Sequence, residues 1–232
     1  MSRLEPPIRA VFFDLGGTLV DVDDPVGWSE IARGLGVEVE PDHLMHEVRE
    51  LDRATDGPDR PDVPRFWQQI LEQVANGRAG PAIGERFAER LAALPLSTHL
   101  FSDVKRCLAE LRRERRPLGI ISNSRSEESV RERLKVAGIL PYFRTIVSSG
   151  TEHVQKPDRA IFERAATKAG VTPAESFHVG DLAFLDAKAA ALAGFRSVWL
   201  NRAGTGLGTD PPEITSLTEL PAYLRSIDAS IR

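Results

Sequence analysis

Residues 8–18 read IRAVFFDLGGT, and this stretch decides the fold. The run Ile8–Phe13 is rich in β-branched and aromatic residues, and it stops at the turn-forming sequence Asp14-Leu15-Gly16-Gly17. Continuous hydrophobicity that ends at a turn is typical of a strand buried on both faces, as in a parallel sheet. The sequence therefore predicts that a buried parallel strand ends at Asp14.

Four further runs have the same pattern, and helical patterns separate them. The predicted strands are Leu118–Ser122, Thr145–Ser148, Phe177–Gly180 and Ser197–Leu200. The predicted helices between and after them are Val104–Arg116, Glu127–Ala137, Arg159–Ala169 and Asp186–Ala193. Strands that alternate with helices in this way predict an α/β fold with a doubly wound parallel sheet.

Residues 21–99 interrupt this alternation, because they contain no strand-like run. The helical stretches in this segment are Ser29–Leu35, His43–Arg53, Pro64–Ala75 and Ile83–Leu94. We therefore predict a core domain of residues 1–20 and 100–232, with a helical cap domain of residues 21–99 inserted into it. A module inserted after the first strand is expected over the carboxyl end of the sheet, where α/β proteins bind their ligands.

The composition is that of an ordinary globular protein. Hydrophobic residues make up 41% of the 232 residues, and 30 basic against 34 acidic residues give a net charge of -4. With no basic stripe, nucleic acid is not an expected partner. The longest apolar stretch, around residues 10–20, is far shorter than the roughly 20 residues of a membrane span. No signal-peptide pattern is present, so we expect a cytoplasmic protein without a membrane partner. The single cysteine, Cys107, excludes an intrachain disulfide.

Polar residues stand at or after the ends of four predicted strands. In a parallel sheet the carboxyl ends of the strands meet in one crevice. The sequence therefore predicts a cluster of three carboxylates, one ammonium group, one hydroxyl group and one amide, which belong to Asp14, Asp181, Asp186, Lys156, Ser122 and Asn123.

The charges of this cluster predict a metal site. Lys156 balances one of the three carboxylates, and the uncompensated negative charge would raise the carboxyl pKa values. A divalent cation removes that penalty, and a set of oxygen ligands suits Mg²⁺. The neutral cluster could then accept a phosphoryl group, whose charge is met by Mg²⁺, Lys156, the Ser122 hydroxyl and backbone N–H groups of the Gly16-Gly17 turn. Asp14 is the natural nucleophile, since carboxylates form aspartyl-phosphates.

These residues resemble the haloacid dehalogenase-like (HAD) hydrolase superfamily, in its helical-cap, phosphatase-like branch, over nearly the whole chain. The four motifs that carry the resemblance are Asp14-Leu15-Gly16-Gly17-Thr18, Ile120-Ile121-Ser122-Asn123, Lys156, and Gly180-Asp181 through Asp186. The resemblance implies that Asp14 attacks and that Ser122 and Lys156 hold the transferred group. It also implies that Asp181 and the Gly16 carbonyl bind Mg²⁺, with Asp186 supporting the metal directly or through water. The substrate contacts are predicted as Gly17, Thr18, Ser122, Asn123 and Lys156.

One position departs from the phosphatase pattern of the family. Those phosphatases have a second aspartate two residues after the nucleophile, and this chain has Gly16 there. General acid–base catalysis of the kind that this aspartate supplies is worth roughly 10²–10⁴-fold in rate. We therefore expect slow turnover and a preference for good leaving groups, unless one of the nearby aspartates substitutes: Asp21, Asp23 or Asp24.

The predicted function is a Mg²⁺-dependent hydrolase of small phosphorylated metabolites. One alternative is a weakly active or inactive homologue that binds phosphate or a metabolite. Another is a metal-independent 2-haloacid dehalogenase, but that branch replaces the glycine–aspartate of the fourth motif, which is retained here as Gly180-Asp181. A phosphonoacetaldehyde hydrolase needs a cap lysine, and no lysine precedes Lys105. His178, inside a predicted strand, is expected to be a packed histidine. The sequence carries no prediction of the substrate's identity or of the oligomeric state.

Overall fold

The computed structural model describes residues 6–21, 24–55, 61–94, 98–204 and 210–230. Within these residues the chain forms a sheet of six parallel strands in the order β3-β2-β1-β4-β5-β6. The strands are β1 (Ala10–Phe13), β2 (Leu118–Ser122), β3 (Phe143–Ser148), β4 (Ser176–Gly180), β5 (Arg196–Leu200) and β6 (Glu213–Ile214). This topology confirms the predicted α/β fold with a parallel sheet.

The described helices fall into two groups. Four follow β1 directly and lie in the inserted segment: α1 (Pro25–Arg33), α2 (Pro41–Ala54), α3 (Val63–Val74) and α4 (Ile83–Ala93). The others belong to the part of the chain that forms the sheet: α5 (Val104–Arg113), α6 (Glu127–Val136), α7 (Ser149–Glu152), α8 (Arg159–Ala169), α9 (Ala189–Leu192) and α10 (Leu220–Ser230).

The side chains of β1 alternate between two hydrophobic cores, which lie on opposite faces of the sheet. Val11 and Phe13 belong to a core that includes buried residues of α5, α6 and α10. Ala10 and Phe12 belong to a second core, formed with buried residues of α8 and α9. Because both faces of the strand are covered, its residues are continuously hydrophobic, which is the pattern that the sequence carries.

Several elements differ from the sequence-based expectation. The strand β6 and the helix α10 were not predicted. The predicted helix Asp186–Ala193 begins earlier, because a π-helical turn, Ala183–Lys188, precedes α9. The helix α5 stops at Arg113 rather than Arg116, since Arg115 adopts a left-handed backbone conformation with φ of 57°. The first strand begins at Ala10 rather than Ile8.

The contacts between Cα atoms divide the chain into two compact units, Met1–Val22 with Ser97–Arg232, and Asp23–Leu96. The second unit has a hydrophobic core of its own, in which the Trp67 ring stacks on Phe87 at 4.1 Å between centroids and meets Trp28 edge-on. That residues 21–99 act as a cap domain stays a prediction. Among the helices that the structure describes, none is long and apolar enough to cross a bilayer.

Candidate active site

The predicted site residues of three strands meet at the carboxyl edge of the sheet. β1 lies between β2 and β4, so Asp14, which follows it, stands at the centre of this edge. The Asp14 backbone N–H donates to the Val179 carbonyl at 2.9 Å, which continues the strand pairing one residue further. Ser122 is the last residue of β2, and Asp181 directly follows β4. The topology therefore places these three side chains at neighbouring strand ends.

Lys156 joins two of the carboxylates. Its Nζ donates to Asp14 Oδ1 at 2.6 Å and to Asp186 Oδ1 at 2.5 Å, and all three side chains are buried. Burial alone would lower the pKa of Lys156, but the charges of Asp14 and Asp186 outweigh it, so this pKa is raised. Burial alone would raise the pKa of Asp186, but Lys156 and His178 hold it below its ordinary value. Lys156 and Asp186 are therefore both ionised at neutral pH.

Asp186 accepts hydrogen bonds from three groups, one of which is the Lys156 ammonium group. Besides Lys156, its Oδ1 accepts a bond from His178 Nε2 at 3.1 Å, and its Oδ2 accepts one from the Leu182 backbone N–H at 3.1 Å. His178 is fully buried against the Phe162 ring, and burial lowers its pKa, so it is neutral at pH 7. His178 is packed and hydrogen-bonded, as expected. Direct metal binding by Asp186 stays a prediction.

Asp181 has a different environment. The Thr18 hydroxyl donates to its Oδ1 at 3.0 Å. Gly17, with a left-handed φ of 74°, packs so closely that a Cβ there would lie 2.1 Å from Asp181 Oδ2. Burial raises the pKa of Asp181 well above its ordinary value, and the negative charges of Asp14 and Asp186 raise it further. This carboxyl group is therefore costly to ionise in the metal-free molecule.

The carboxylates fit a divalent cation. Asp14, Asp181 and Asp186 each offer an oxygen atom, and these atoms all lie within 4.8 Å of one another. The pKa of Asp14 is also raised, chiefly by burial, although Lys156 opposes the shift. Two negative charges remain after Lys156 is counted, and a cation would replace the protons that the cluster otherwise attracts. An oxygen-only ligand set suits Mg²⁺.

The Asn123 side chain fixes the backbone of Lys156. Its Nδ2 donates to the Lys156 carbonyl at 3.0 Å, and its Oδ1 accepts from the Lys156 N–H at 2.9 Å. Both amide atoms are thus engaged, a positioning role that the sequence did not suggest. The buried Ser122 hydroxyl is 2.7 Å from the Ser124 hydroxyl. Substrate contacts by Ser122, Asn123 and Lys156 stay predictions.

The turn after β1 uses some of its predicted donors internally. The Gly17 N–H donates to the Val20 carbonyl at 2.9 Å, and the Thr18 hydroxyl is taken by Asp181. These bonds compete with the predicted substrate contacts of Gly17 and Thr18. The close approach of Gly17 to Asp181 leaves no room for a Cβ at this position. The substrate contacts of Gly17 and Thr18 stay predictions. Metal binding by the Gly16 carbonyl stays a prediction.

The three aspartates considered as substitutes for the absent acid–base group have different positions. The exposed Asp24 caps α1, since its Oδ1 accepts the Gly27 N–H at 3.0 Å. Asp21 is partly buried, and its backbone N–H donates to the His99 carbonyl. Asp23 lies outside the described residues. Substitution by any of the three stays a prediction.

The guanidinium group of Arg133 interacts electrostatically with the carboxylate of Asp14. Arg133 of α6 is partly buried, and burial lowers its pKa, while the carboxylate of Asp14 opposes that shift. The sequence placed Arg133 in a helix with many charged residues, and nothing in that pattern separates it from the exposed Arg131. The interaction depends on how α6 packs beside β3, which periodicity does not encode.

This chain belongs to the haloacid dehalogenase-like hydrolases, since the model of that family matches residues 8–194. The N-acylneuraminate-9-phosphatase of Mus musculus is 30% identical over 241 residues, which cover 97% of this chain and 96% of that protein. The (S)-2-haloacid dehalogenase of Pseudomonas sp. (strain YL) is 30% identical over 227 residues, which cover 90% and 91%. The chain is thus a hydrolase with relatives in both the phosphatase and the dehalogenase branches, and the resemblance inferred from the sequence is confirmed.

The fold is similar to that of solved structures. The crystal structure of the HAD hydrolase YfnB of Bacillus subtilis, solved with bound magnesium, aligns with a TM-score of 0.73 and covers 94% of this chain and 99% of that one. The two sequences are 19% identical, so this likeness concerns the fold alone.

Asp181→Asn tests the electrostatic account of the cluster. In EDTA at neutral pH, we expect the variant to melt about 2 °C or more above the wild type, because the penalty for ionising Asp181 is removed. The gain should vanish as the pH falls below the ordinary value of 3.8, where Asp181 is protonated in folded and unfolded chains alike. Calorimetry in EDTA and in magnesium measures both states.

The matched control is Asp42→Asn, an exposed aspartate in the first turn of α2. It should keep the stabilisation by magnesium that Asp181→Asn loses. A fall in the melting temperature of metal-free Asp181→Asn at neutral pH would contradict the account.

Proposed function

We propose that this protein is a Mg²⁺-dependent phosphatase of small phosphorylated metabolites, and that it works through an aspartyl-phosphate on Asp14. The observation that carries the proposal is the buried Asp14–Lys156–Asp186 ion network with Asp181 beside it, at the end of the central strand. A relative named as a phosphatase, similar over 97% of the chain, supports the same conclusion. We also propose that residues 21–99 form a cap that selects the substrate.

Asp14 and Asp181 are the residues that we assign to hold Mg²⁺, with the carbonyl of Gly16. Asp186 would support the metal indirectly, for example through a water molecule, because its oxygens already accept bonds from Lys156, His178 and the Leu182 N–H. When bound, Mg²⁺ supplies positive charge that offsets the negative charge of a phosphoryl group.

The nucleophile in this proposal is an oxygen of Asp14. It forms a bond to phosphorus while the bond from phosphorus to the ester oxygen breaks, and the leaving group departs with that electron pair and takes a proton from solvent. A water molecule then attacks the phosphorus while the bond between phosphorus and the Asp14 oxygen breaks. Inorganic phosphate leaves, the Asp14 carboxylate takes back the electron pair of that bond, and the proton from the water passes to solvent. Lys156 opposes the burial that raises the pKa of Asp14, which favours the ionised nucleophile. With the Ser122 hydroxyl, Lys156 also meets the charge on the phosphoryl oxygens.

The absence of a carboxyl group at Gly16 limits the proton transfers. Without a positioned acid, an alkoxide leaving group has to take its proton from water, which slows the first step. An aryl or acyl leaving group is already a weak base, so it loses little. We therefore propose a preference for aryl or acyl phosphates and slow hydrolysis of the phospho-enzyme.

A metal-independent dehalogenase is the second candidate. The alignment with the dehalogenase relative covers 90% of this chain. Asp181 argues against it, because this half-buried carboxyl group offers an oxygen atom within 4.8 Å of those of Asp14 and Asp186, an arrangement that suits a cation. A third reading, a cleft that binds phosphate without turnover, is separated from both by the rate measured below.

Asp14→Asn tests the nucleophile. With saturating magnesium and p-nitrophenyl phosphate, we expect the wild type to release phosphate and the variant to fall to background, because an amide oxygen does not form the acyl-phosphate. Asp210→Asn, at an exposed position outside residues 21–99, serves as the control and should keep the full rate. Equal rates for Asp14→Asn and the wild type would refute the assignment. Chloride release from 2-chloropropionate in EDTA would support the dehalogenase instead.

Gly16→Asp tests the missing acid–base group. We expect kcat/KM on an alkyl phosphate to rise roughly 10-fold or more, which is part of the roughly 10²–10⁴-fold that such a group supplies. The rate on p-nitrophenyl phosphate should change less, because that leaving group needs no proton. Gly16→Asn has the same size without the acid and should show no gain. The same rates for both variants would contradict this account.

A further inference from the structure

Arg202, which is distant in sequence, donates hydrogen bonds to the turn that follows β1. It stands two residues after β5, and its Nε donates to the Gly17 carbonyl at 3.2 Å while its Nη2 donates to the Thr18 carbonyl at 2.7 Å. Nη1 and Nη2 also form a forked pair with the Asp103 carboxylate, at 2.9 and 3.2 Å. The guanidinium lies over the Phe101 ring, 3.9 Å from its centroid.

Asp103 is itself firmly held. It is buried, and it accepts bonds from the Ser216 hydroxyl and the Leu217 N–H, both at 2.9 Å. Burial would raise the pKa of Asp103, but the bonds from Arg202 and Leu217 outweigh it and lower this pKa. Asp103 is thus ionised and fixed in place, and Arg202 bridges its carboxylate and the carbonyl groups of the turn.

The same turn holds Asp181 on its other side. Thr18 presents its carbonyl to Arg202 and its hydroxyl to Asp181 Oδ1, and Gly17 packs against the Asp181 carboxyl group. Trp199 of β5, three residues before Arg202, donates its Nε1–H to the Asp181 carbonyl at 2.8 Å. One end of β5 therefore fixes the backbone of Asp181 directly and its side chain through the turn.

We propose that Arg202 is a positioning residue that sets the affinity of the carboxylate cluster for Mg²⁺. It does so by fixing the two backbone carbonyls of Gly17 and Thr18, and thereby the hydroxyl that orients Asp181. A planar guanidinium can serve two carbonyls and a carboxylate at once, which a lysine ammonium cannot reproduce. That the cluster binds Mg²⁺ at all rests on the proposed function.

Magnesium binding by metal-free variants in the absence of substrate tests the proposal. Isothermal titration of the full chain should give a dissociation constant about 10-fold or more weaker for Arg202→Gln than for the wild type, in the range typical of lost outer-shell contacts. Arg225→Gln is the matched control, since Arg225 is an exposed arginine that pairs with Glu110 and Glu114. It should bind magnesium as the wild type does.

A merely structural role would lower the melting temperature of Arg202→Gln and leave its magnesium affinity within twofold of the wild type, which would overturn the proposal. If Arg202→Gln does not fold, Arg202→Lys takes its place, because it keeps the charge but not the fork. It should also bind magnesium more weakly, and wild-type affinity in that variant would equally overturn the proposal.

Hydrogen exchange separates this inference from the proposed function. The amides of Gly17, Leu19 and Val20 are hydrogen-bonded within the turn, to Val20 O, Leu15 O and Leu15 O respectively. Faster exchange of these amides in Arg202→Gln, but not in Arg225→Gln, supports the positioning role even if the wild type binds no magnesium. Absence of magnesium binding by the wild type would instead reject the metal in the proposed function. Unchanged exchange would overturn the positioning role.

Discussion

The Lys156 ammonium group lies between the carboxylates of Asp14 and Asp186, and the pKa of a third carboxylate, Asp181, stays raised despite that lysine. The surrounding contacts serve this arrangement. Asn123 fixes the lysine backbone, and His178 completes the hydrogen bonds of Asp186 while remaining neutral. The cluster is therefore held by several hydrogen bonds, but its three carboxyl groups face a single ammonium group. A divalent cation is the simplest group that balances it.

The fold brings these groups together because its strands are parallel and its helices cover both faces. Neighbouring strands then end at one edge, and residues far apart in sequence, such as Asp14 and Asp181, become neighbours. The segments that follow the strands at that edge also contact one another. The turn after β1 is hydrogen-bonded to Asp181 on one side and to Arg202 on the other. The chemistry is thus supported by backbone contacts as much as by side chains.

Much of this arrangement could be predicted from the sequence. Buried parallel strands are continuously hydrophobic, so the pattern predicted β1 to β5, and the polar residues at their ends predicted the cluster. The strand β6 has only two residues and carries no pattern of its own. The roles of Asn123 and Arg202 depend on side-chain bonds to distant backbone groups, which leave no periodicity in the sequence. The same holds for the hydrogen bonds that engage Gly17 and Thr18.

The central claim is that the carboxylate cluster binds a cation beside a nucleophilic Asp14. A crystal structure of the wild-type protein grown with magnesium and fluoroberyllate, a mimic of a phosphoryl group, examines it most directly. We expect beryllium bonded to an oxygen of Asp14 and magnesium held by Asp14 and Asp181. A magnesium ion bound away from Asp181, or fluoroberyllate absent from Asp14, would contradict it.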